Sequence, residues 1–467
     1  MSLFVRDATE LDALNISLPD MQQAKYNLSS GLNHLDIPAF YLDFLREELD
    51  YKQFMKDYSE GAGTRILVES LKSYEKLVSG LPFPVQDNKY ADHLAVTAGA
   101  SMAIVHLIEY LAVHCSSYRF LFLGFNYFLF FQLMNKYELP YTLLTSAEGR
   151  NYHNAPTVDE IKREILQNNG PIAVFLSMPC NPSGENYSIK EVEEIIALLK
   201  AIPGSLLIID KCQQDELHLD SYVNVGHLIA KAKFEDQAIV INSFSKTRSI
   251  PGIRLGYITG NESIIRYIIL NIKYSYYCHS QLFIFPIIAD LLIRLLFICE
   301  YYGLEADRLY VPFNKAVARH SGISLYTRYL RGILTKVRKS YADYAKPITQ
   351  NYKIIQENYV YSINQLEALS AGYTKLSGGF NFSIQFKGLE ARNQLNHCAE
   401  IVQSIGLLLM PECYFNGSVI RDSTGPFSFR ITLAYPQAKF QKMIELLKDY
   451  LLNSLSDNSK QCNEVHV

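Results

Sequence analysis

The sequence predicts an α/β fold in which a mostly parallel sheet carries helices on both faces, together with a smaller α+β domain. Apolar runs of strand length, such as residues 206–209 and 238–241, alternate with stretches of helical spacing between about residues 58 and 290. This alternation is typical of a parallel sheet whose crossover helices cover both faces. From about residue 346 the pattern changes to a long helical stretch followed by short strands and helices, which indicates the smaller domain.

The strand-like runs of the first part lead into polar elements. Because ligands of open parallel sheets bind at the carboxyl ends of the strands, these elements together predict a binding site. In chain order they are the turn Gly99, Ala100 and Ser101 after residues 94–97, Asn181 after residues 171–176, Asp210 after residues 206–209, Lys246 after residues 238–241, and then Arg254.

Lys246 follows its strand within the run Ser243-Phe244-Ser245-Lys246. A lysine amine is useful in covalent catalysis because it condenses with an aldehyde and is released again by an incoming amine. By itself such a run is a solvated turn in many proteins. The ordered set of polar elements around it favours the catalytic interpretation.

This ordered set resembles the fold-type I pyridoxal-phosphate (PLP) enzymes, specifically the class I/II aminotransferase family. Further segments match the family across nearly the whole chain, and they are residues 26–31, Tyr58 with Gly63, Gly378-Gly379-Phe380, and residues 429–434. The resemblance implies a seven-stranded, mostly parallel sheet and pyridoxal 5'-phosphate as cofactor. It also implies a homodimer with shared active sites.

The same resemblance assigns catalytic roles to two residues. Lys246 would form a Schiff base with the cofactor and move the proton between substrate carbon and cofactor. Asp210 would face the pyridine nitrogen and keep it protonated, so that the ring accepts electrons from the substrate. The alternative for Asp210 is a carboxylate that caps the segment after its strand.

A phosphate site is implied at the start of the helical stretch after residue 99. A helix N-terminus offers unpaired N–H groups to an anion, and small residues allow close approach. The residues assigned to it are Gly99, Ala100, Ser101, Ser243, Ser245 and Arg254, with Tyr58 reaching the phosphate of the neighbouring subunit. For the serines, ordinary capping hydroxyls are the alternative.

Tyr127 is the candidate for the aromatic ring that stacks on the cofactor. The surrounding segment is rich in phenylalanine, so Phe125 or Phe130 could be that ring instead, and core packing explains any of them equally well.

The resemblance also assigns substrate-binding residues. Arg430 would hold the substrate α-carboxylate through two parallel hydrogen bonds, a geometry that suits guanidinium better than ammonium. Gly31 lies in the segment expected near that carboxylate. Asn181 would bind the phenolic oxygen of the cofactor, although a turn asparagine before Pro182 is the alternative.

One position departs from the family. Three residues after the ring-nitrogen aspartate the family usually has a tyrosine that donates to the phenolic oxygen, and here Gln213 stands there. Gln213 can make that hydrogen bond but cannot ionise, and this departure motivates the alternative reaction types given below.

The resemblance as a whole predicts an aminotransferase of an L-amino acid and a 2-oxo acid with ping-pong kinetics. The alternatives are a PLP-dependent lyase, decarboxylase or oxidative enzyme, and a non-catalytic binding protein on the same fold.

Length and composition agree with two soluble domains. A chain of 467 residues is too long for one compact core. We expect residues 1–57 to form an arm that joins the small domain. Residues 58–345 should form the large PLP-binding domain, with a surface helical insertion at about 300–335, and residues 346–467 the small domain.

Charge and cysteine content exclude several classes of protein. The net charge of −3 provides no basic field for nucleic acid. The eight cysteines lack a CxxC pair, which favours reduced thiols, a cytoplasmic protein and no metal site. Residues 1–11 contain acidic residues and no sustained apolar core, so no secretory signal is expected.

Residues 282–299 form an apolar stretch that contains Pro286, Asp290 and Arg294. Each central charge would cost about 2.5–3.5 kcal/mol on insertion into a membrane, so the sequence favours a buried helix. Asp290 and Arg294 stand four residues apart and are expected to pair on one helix face.

Overall fold

The structure is a computed structural model, and it describes residues 24–50, 56, 58–81, 93–145, 155–167, 170–215, 220–320, 324–389, 394–415 and 428–464. Within these residues the strands, numbered in chain order, are β1 (Tyr26–Asn27), β2 (Leu94–Thr97), β3 (Arg119–Leu123), β4 (Tyr141–Leu144), β5 (Ile172–Ser177), β6 (Leu206–Asp210), β7 (Ala238–Ser243), β8 (Gly256–Thr259), β9 (Ser370–Tyr373), β10 (Asn381–Phe386), β11 (Leu407–Leu408), β12 (Met410–Pro411) and β13 (Ser428–Thr432).

The helices of the described residues surround these strands. They are α1 (Ala39–Asp50), α2 (Arg65–Ser79), α3 (Ala100–His114), α4 (Phe128–Lys136), α5 (Val158–Leu166), α6 (Ile189–Lys200), α7 (Val225–Ala232), α8 (Glu262–Ser275), α9 (Ile284–Tyr301), α10 (Asp307–His320), α11 (Ser324–Lys339), α12 (Tyr341–Leu366), α13 (Gln394–Ile405) and α14 (Gln437–Glu464).

The central sheet has seven strands in the order β2-β8-β7-β6-β5-β3-β4. Strand β8 pairs antiparallel with both of its neighbours, and the other pairs are parallel. Every residue of β5 and of β6 is buried, which explains their continuous apolar sequence, because helices cover both faces of a parallel sheet. The predicted fold class, a mostly parallel seven-stranded sheet with helices on both faces, is confirmed.

The register of the sheet places several strand ends at one edge. Ser177 at the end of β5 pairs with Asp210 at the end of β6, and Asp210 pairs with Ile241 in β7. Strand β2 runs in the same direction as β7, because both are antiparallel to β8. The turn after β2 therefore opens at the same edge as the loops after β5, β6 and β7.

A second sheet, β12-β13-β10-β9, is entirely antiparallel and forms the centre of the small domain. Its apolar side chains pack with α12, α13 and α14 into one cluster that includes Phe382, Ile431 and Ile444. Strand β10 pairs with β13 in a register that places Ser383 opposite Arg430. Arg430 is thus held in the middle of a paired strand.

The N-terminal arm contacts both domains. Strand β1 pairs parallel with β11, which places the start of the described arm against the small domain. Helix α1 packs instead on α9, and its residues Phe40 and Phe44 belong to the core cluster of the large domain. The remaining parts of the predicted arm, residues 1–23, 51–55 and 57, lie outside the described residues.

Helix α12 crosses the predicted domain boundary at residues 345 and 346. Ala345 and Ile348 belong to the core cluster of the large domain, whereas Ile355 and Leu366 belong to that of the small domain. The two domains are therefore joined by one continuous helix, and the change from one core to the other falls between Ile348 and Ile355.

The predicted insertion at about 300–335 is helical and consists of α10 and α11, which extend to Lys339. It is not a simple surface addition. Phe313 in α10 and Ile333 in α11 are fully buried in the same cluster as α9. Apolar residues that recur at helical spacing give each of these helices one face that packs into the core.

Helix α9 is the apolar stretch that the sequence predicted to be buried. It is covered by α1, α2, α10 and α11. Its Arg294 donates from Nε to Asp290 at 3.0 Å, which confirms the expected pair. Among the described residues, no helix combines the length and the apolar character needed to span a membrane.

The packing of α10 predicts that Phe313 contributes to the stability of the large domain. Replacing it with alanine (Phe313→Ala) removes a fully buried aromatic ring, so we expect the free energy of unfolding to fall by about 3–5 kcal/mol. The measurement is equilibrium unfolding in urea followed by circular dichroism. The control is Val311→Ala in the same helix, where the side chain is 37% exposed. Equal losses in both variants would contradict the assignment of α10 to the core.

Candidate active site

Lys246 lies in the loop after β7, and the arm holds it at two points. Its amine Nζ donates to the carbonyl oxygen of Gly31 at 2.8 Å. Asn33 donates from Nδ2 to the backbone carbonyl of Lys246 at 3.2 Å. The side chain of Ser243 accepts from the backbone N–H of Ser245 at 3.1 Å and stabilises the turn that presents the lysine.

The environment of Lys246 lowers the pKa of its amine to about 8. Burial is the largest cause, because it disfavours the charged form, and the cations Arg430 and Arg254 add to it. Cys212 and Asp210 act in the opposite direction. At pH 8 about half of the amine is therefore uncharged and nucleophilic, which is the state a covalent lysine requires.

Asp210 ends β6 and lies in the same group. Its Oδ1 accepts from the backbone N–H of Cys212 at 2.9 Å. Burial raises the pKa of the carboxyl group, and hydrogen bonds from Cys212 and the charge of Lys246 partly oppose that rise. A buried carboxylate is most stable beside a cation, and a protonated ring nitrogen is a suitable one.

The turn between β2 and α3 forms a cradle for an anion. Gly99 has φ 76°, and a Cβ at this position would lie 2.8 Å from a guanidinium nitrogen of Arg254. A Cβ at Gly256 would lie 2.9 Å from the backbone nitrogen of Ala100. Because glycines keep this approach open, Arg254 lies beside the first turn of α3, where N–H groups lack helical partners. An anion such as phosphate fits this combination.

Tyr127 interacts both with residues of the anion cradle and with Asp210. Burial raises the pKa of its hydroxyl, a hydrogen bond with Ser101 opposes that rise, and the charge of Asp210 adds to it. Phe130, one of the alternatives, is 1% exposed and packs in the core against Phe122. The geometry therefore supports Tyr127 over Phe130 as an aromatic wall of the site, and its stacking role remains a prediction.

Arg430 is a buried cation at the small-domain side of the site. Its guanidinium donates to Oδ1 of Asn181 at 3.0 Å and to the carbonyl of Ser29. No carboxylate of the described residues forms an ion pair with it, and its Nε has no hydrogen-bond partner among them. Burial lowers the pKa of the guanidinium to about 10, so it remains a cation at neutral pH.

Gly31 makes the position of Arg430 possible. It has φ 54°, and a Cβ there would lie 2.8 Å from Nη2 of Arg430. The backbone of the arm can therefore lie directly against the guanidinium while its carbonyl accepts from Lys246. Gly31, Asn181, Arg430 and Lys246 thus form one contiguous group across both domains.

Gln213 is joined to the small domain. Its Oε1 accepts from Nδ2 of Asn381 at 3.0 Å, and a Cβ at Gly379 would lie 3.0 Å from the same oxygen. The predicted hydrogen bond from its amide nitrogen to a cofactor remains a prediction. Tyr58 makes an edge contact with Tyr277, with 5.2 Å between the ring centroids. Its side chain is 82% exposed, and exposure in the single chain is required of a residue that reaches another subunit.

Two residues in the site were not among the sequence predictions. Cys212 hydrogen-bonds to Asp210 and influences the pKa of Lys246, and its position two residues after Asp210 is the only signal in the sequence. Asn33 fixes the backbone of Lys246 from a segment 213 residues away. No local pattern indicates such a contact.

Comparison with known proteins finds relatives of part of the chain. Residues 143–299 match the family model described as aminotransferase class I and II. A histidinol-phosphate aminotransferase of Brachyspira hyodysenteriae is 30% identical over 161 residues, which cover 33% of this chain and 43% of that protein. An aspartate aminotransferase of Bacillus sp. strain YM-2 is 32% identical over 113 residues, covering 23% of this chain and 27% of that protein. The chain thus matches less than half the length of these curated relatives.

Solved structures resemble nearly the whole chain. The crystal structure of an aromatic aminotransferase from Pyrococcus horikoshii OT3 has a TM-score of 0.65 at 17% identity, and the match covers 94% of this chain and 99% of that one. At this level of identity the likeness concerns the fold.

The geometry predicts that Arg430 helps to keep the pKa of Lys246 low. Arg430→Met removes the second largest cause of the lowering, so we expect the pKa of the lysine amine to rise by roughly one unit. The measurement is competitive labelling of Lys246 with acetic anhydride across a pH series in the cofactor-free protein, followed by mass spectrometry. Arg430→Lys retains the positive charge and should leave the pKa near 8. The same pKa in both variants would show that the two cations do not interact.

Proposed function

We propose that this chain, whose residues 143–299 match the family model of class I and II aminotransferases, is a PLP-dependent aminotransferase acting on an L-amino acid and a 2-oxo acid. The observation that carries the proposal is the pair formed by Arg430 and Lys246. Arg430 is a buried cation without a carboxylate partner among the described residues, and Lys246 beside it has a pKa of about 8. The guanidinium of Arg430 suits a substrate carboxylate. The amine of Lys246 suits reaction with a carbonyl group and exchange with a substrate amine.

The residues present fit pyridoxal 5'-phosphate. Gly99 and Arg254 are open to an anion at the start of α3, and the buried carboxylate of Asp210 suits a pyridinium nitrogen. Tyr127 interacts with residues at both of these points. When bound, the cofactor supplies an aldehyde that reacts with amines and a ring that withdraws electrons from the substrate Cα.

We assign the remaining cofactor contacts by resemblance. Ala100, Ser101, Ser243 and Ser245 would complete the phosphate site with backbone N–H and hydroxyl groups. Asn181 and Gln213 would bind the phenolic oxygen, and Tyr58 of a neighbouring subunit would reach the phosphate.

In this proposal Lys246 would hold the cofactor through its amine and would also move a proton. Its Nζ donates a hydrogen bond to the carbonyl oxygen of Gly31 at 2.8 Å, and this contact would keep the amine in place once a substrate amine has released it. The freed amine, with its lowered pKa, then takes the proton from the substrate Cα as a general base.

Arg430 binds and orients both substrates. Guanidinium and carboxylate match through two parallel hydrogen bonds, and an L-amino acid and a 2-oxo acid carry the same carboxylate. Asn181 accepts from Nη1 and keeps the guanidinium in place. Because one site serves both substrates in turn, we expect ping-pong kinetics.

Gln213 supports a second candidate with a different reaction type. It stands where the family usually has a tyrosine, and its Oε1 is held by Asn381. A lyase, decarboxylase or oxidative enzyme would keep the same cofactor contacts but change the fate of the substrate. A non-catalytic binding protein has less support, since it would not need a lysine with a pKa of about 8.

We also propose a cytoplasmic homodimer with composite sites. Tyr58, Tyr274 and Tyr277 are 82%, 77% and 55% exposed, and together they form an aromatic surface that a second subunit would cover. The seven cysteines whose side chains are described are all free thiols, which agrees with a reducing compartment.

Incubating the purified protein loaded with PLP with each amino acid in turn tests the activity. We expect at least one amino acid to yield its 2-oxo acid and the aminated cofactor, because Lys246 and Arg430 provide proton transfer and carboxylate binding. The measurements are absorbance of the bound cofactor and mass spectrometry of the products. An amine, alkene or peroxide product would favour the second candidate.

Borohydride reduction tests which lysine binds the cofactor. It should fix the cofactor to Lys246, and an adduct on another lysine would contradict the proposed site.

Mixing inactive variants tests the composite sites. Lys246→Ala chains mixed with Tyr58→Ala chains should recover activity, because one site of each mixed dimer then has both residues intact. Random pairing predicts about a quarter of the wild-type activity. As a control, Lys246→Ala mixed with Arg254→Ala should recover nothing, because both residues belong to the same chain's half of the site. Equal activity in the two mixtures would exclude this arrangement.

A further inference from the structure

A network of buried charges lies behind the site, and none of its members has a role in the proposed chemistry. Asp290 accepts from Tyr41 Oη at 2.7 Å, from Arg248 Nε at 3.1 Å and from Arg294 Nε at 3.0 Å. Arg294 also donates to the carboxylate of Asp215. The side chains of the four charged residues are 0–9% exposed.

The network connects the two loops that carry the candidate catalytic residues. Arg248 stands two residues after Lys246, and Asp215 stands five residues after Asp210. Helix α9 supplies the charges that hold both, since its Asp290 contacts Arg248 and its Arg294 contacts Asp215.

The arm is tied to the same network. Tyr41 in α1 donates to Asp290, and the residues that precede α1 contact Lys246 directly through Gly31 and Asn33. A cavity of about 40 Å³ lies between these elements, and Asn33, Arg248 and Arg294 are among its lining residues. The arm that contacts Lys246 is therefore also attached to α9 through Tyr41.

We propose that Asp290 and Arg294 are positioning residues, which hold the loops of Lys246 and Asp210 in the geometry that the reaction needs. This inference rests on the proposed function. Fold stability alone does not explain the network, because well-packed apolar residues in place of buried ion pairs often leave stability unchanged or higher. A positioning role does explain the network, because it gives the loops of Lys246 and Asp210 fixed partners. Proton transfer depends strongly on the distance between lysine and substrate.

The network is suited to a fixed geometry. It contains two arginines and two aspartates, so its charges balance. Burial works against the charged form of Asp290, but Arg294 and Arg248 together hold the pKa of its carboxyl below the ordinary value. Burial and Asp290 raise the pKa of Tyr41 well above its ordinary value, so it remains a neutral donor. Asp290 therefore stays charged and Tyr41 stays neutral near neutral pH.

The test compares Arg294→Lys with a control in α1 that contacts the start of the same helix α9. A single ammonium group keeps the charge but cannot hold Asp290 and Asp215 in the fork geometry of a guanidinium. The control is Glu48→Gln, because Glu48 accepts from the backbone N–H groups of Phe283 and Phe285, both at 2.6 Å, at the start of α9. Both variants weaken the attachment of α9, but only the first releases the two loops.

We expect Arg294→Lys to lower kcat about 10- to 100-fold with a smaller change in KM, since a displacement of about 1 Å has an effect of this order. The pKa of Lys246, measured by competitive labelling in the cofactor-free protein, should rise from about 8, because a loosened loop admits water and burial is the main cause of the lowering. Glu48→Gln should lower the midpoint of unfolding but leave kcat and the pKa of Lys246 unchanged.

The inference is overturned if Arg294→Lys loses stability while kcat and the pKa of Lys246 match those of Glu48→Gln. The labelling measurement needs neither cofactor nor turnover. It therefore decides the question even if the protein proves not to be an aminotransferase. If Arg294→Lys does not fold, Arg248→Lys examines the same contact from the loop, and an unchanged pKa of Lys246 there would equally overturn the inference.

Discussion

Backbone hydrogen bonds in register between β5, β6 and β7 bring the ends of these three strands side by side. The loops that follow carry Asn181, Asp210 and Lys246 within a few residues of the strand ends. A shift of the register by one residue would turn Asp210 to the other face of the sheet, because side chains alternate along a strand. The whole arrangement of the candidate site therefore depends on the burial of aliphatic residues in these strands, which makes any other register unfavourable.

The chemistry of the site follows from the burial of its charged groups away from water. Burial disfavours the charged forms of both Lys246 and Arg430, and the charge of Arg430 lowers the pKa of the lysine further. For arginine the effect is too small to remove its charge, whereas the lysine reaches a pKa of about 8. The same burial thus leaves one group as an anion receptor and prepares the other as a nucleophile.

Three parts of the chain meet around Lys246 and Arg430. The large domain provides Lys246, the small domain provides Arg430, and the arm provides the carbonyl and amide groups that contact them. Helix α12 runs through both domain cores, and α1 packs on α9 in the large domain. The helical insertion adds to the core that supports α9, and α9 in turn holds the charged network behind the loops.

The sequence by itself determined the fold class, the order of the polar strand ends and the pairing of Asp290 with Arg294, because each depends on residues close together in the chain. Apolar periodicity and strand-end residues are local signals, and local spacing also places Asp290 and Arg294 on one helix face. Only the tertiary structure decided that Asn33 holds Lys246, that Asn381 holds the oxygen of Gln213, and that Arg248 and Asp215 share a helix as their anchor. These contacts join segments between 42 and 213 residues apart, and no local pattern records which distant side chains will meet when two cores and an arm pack together.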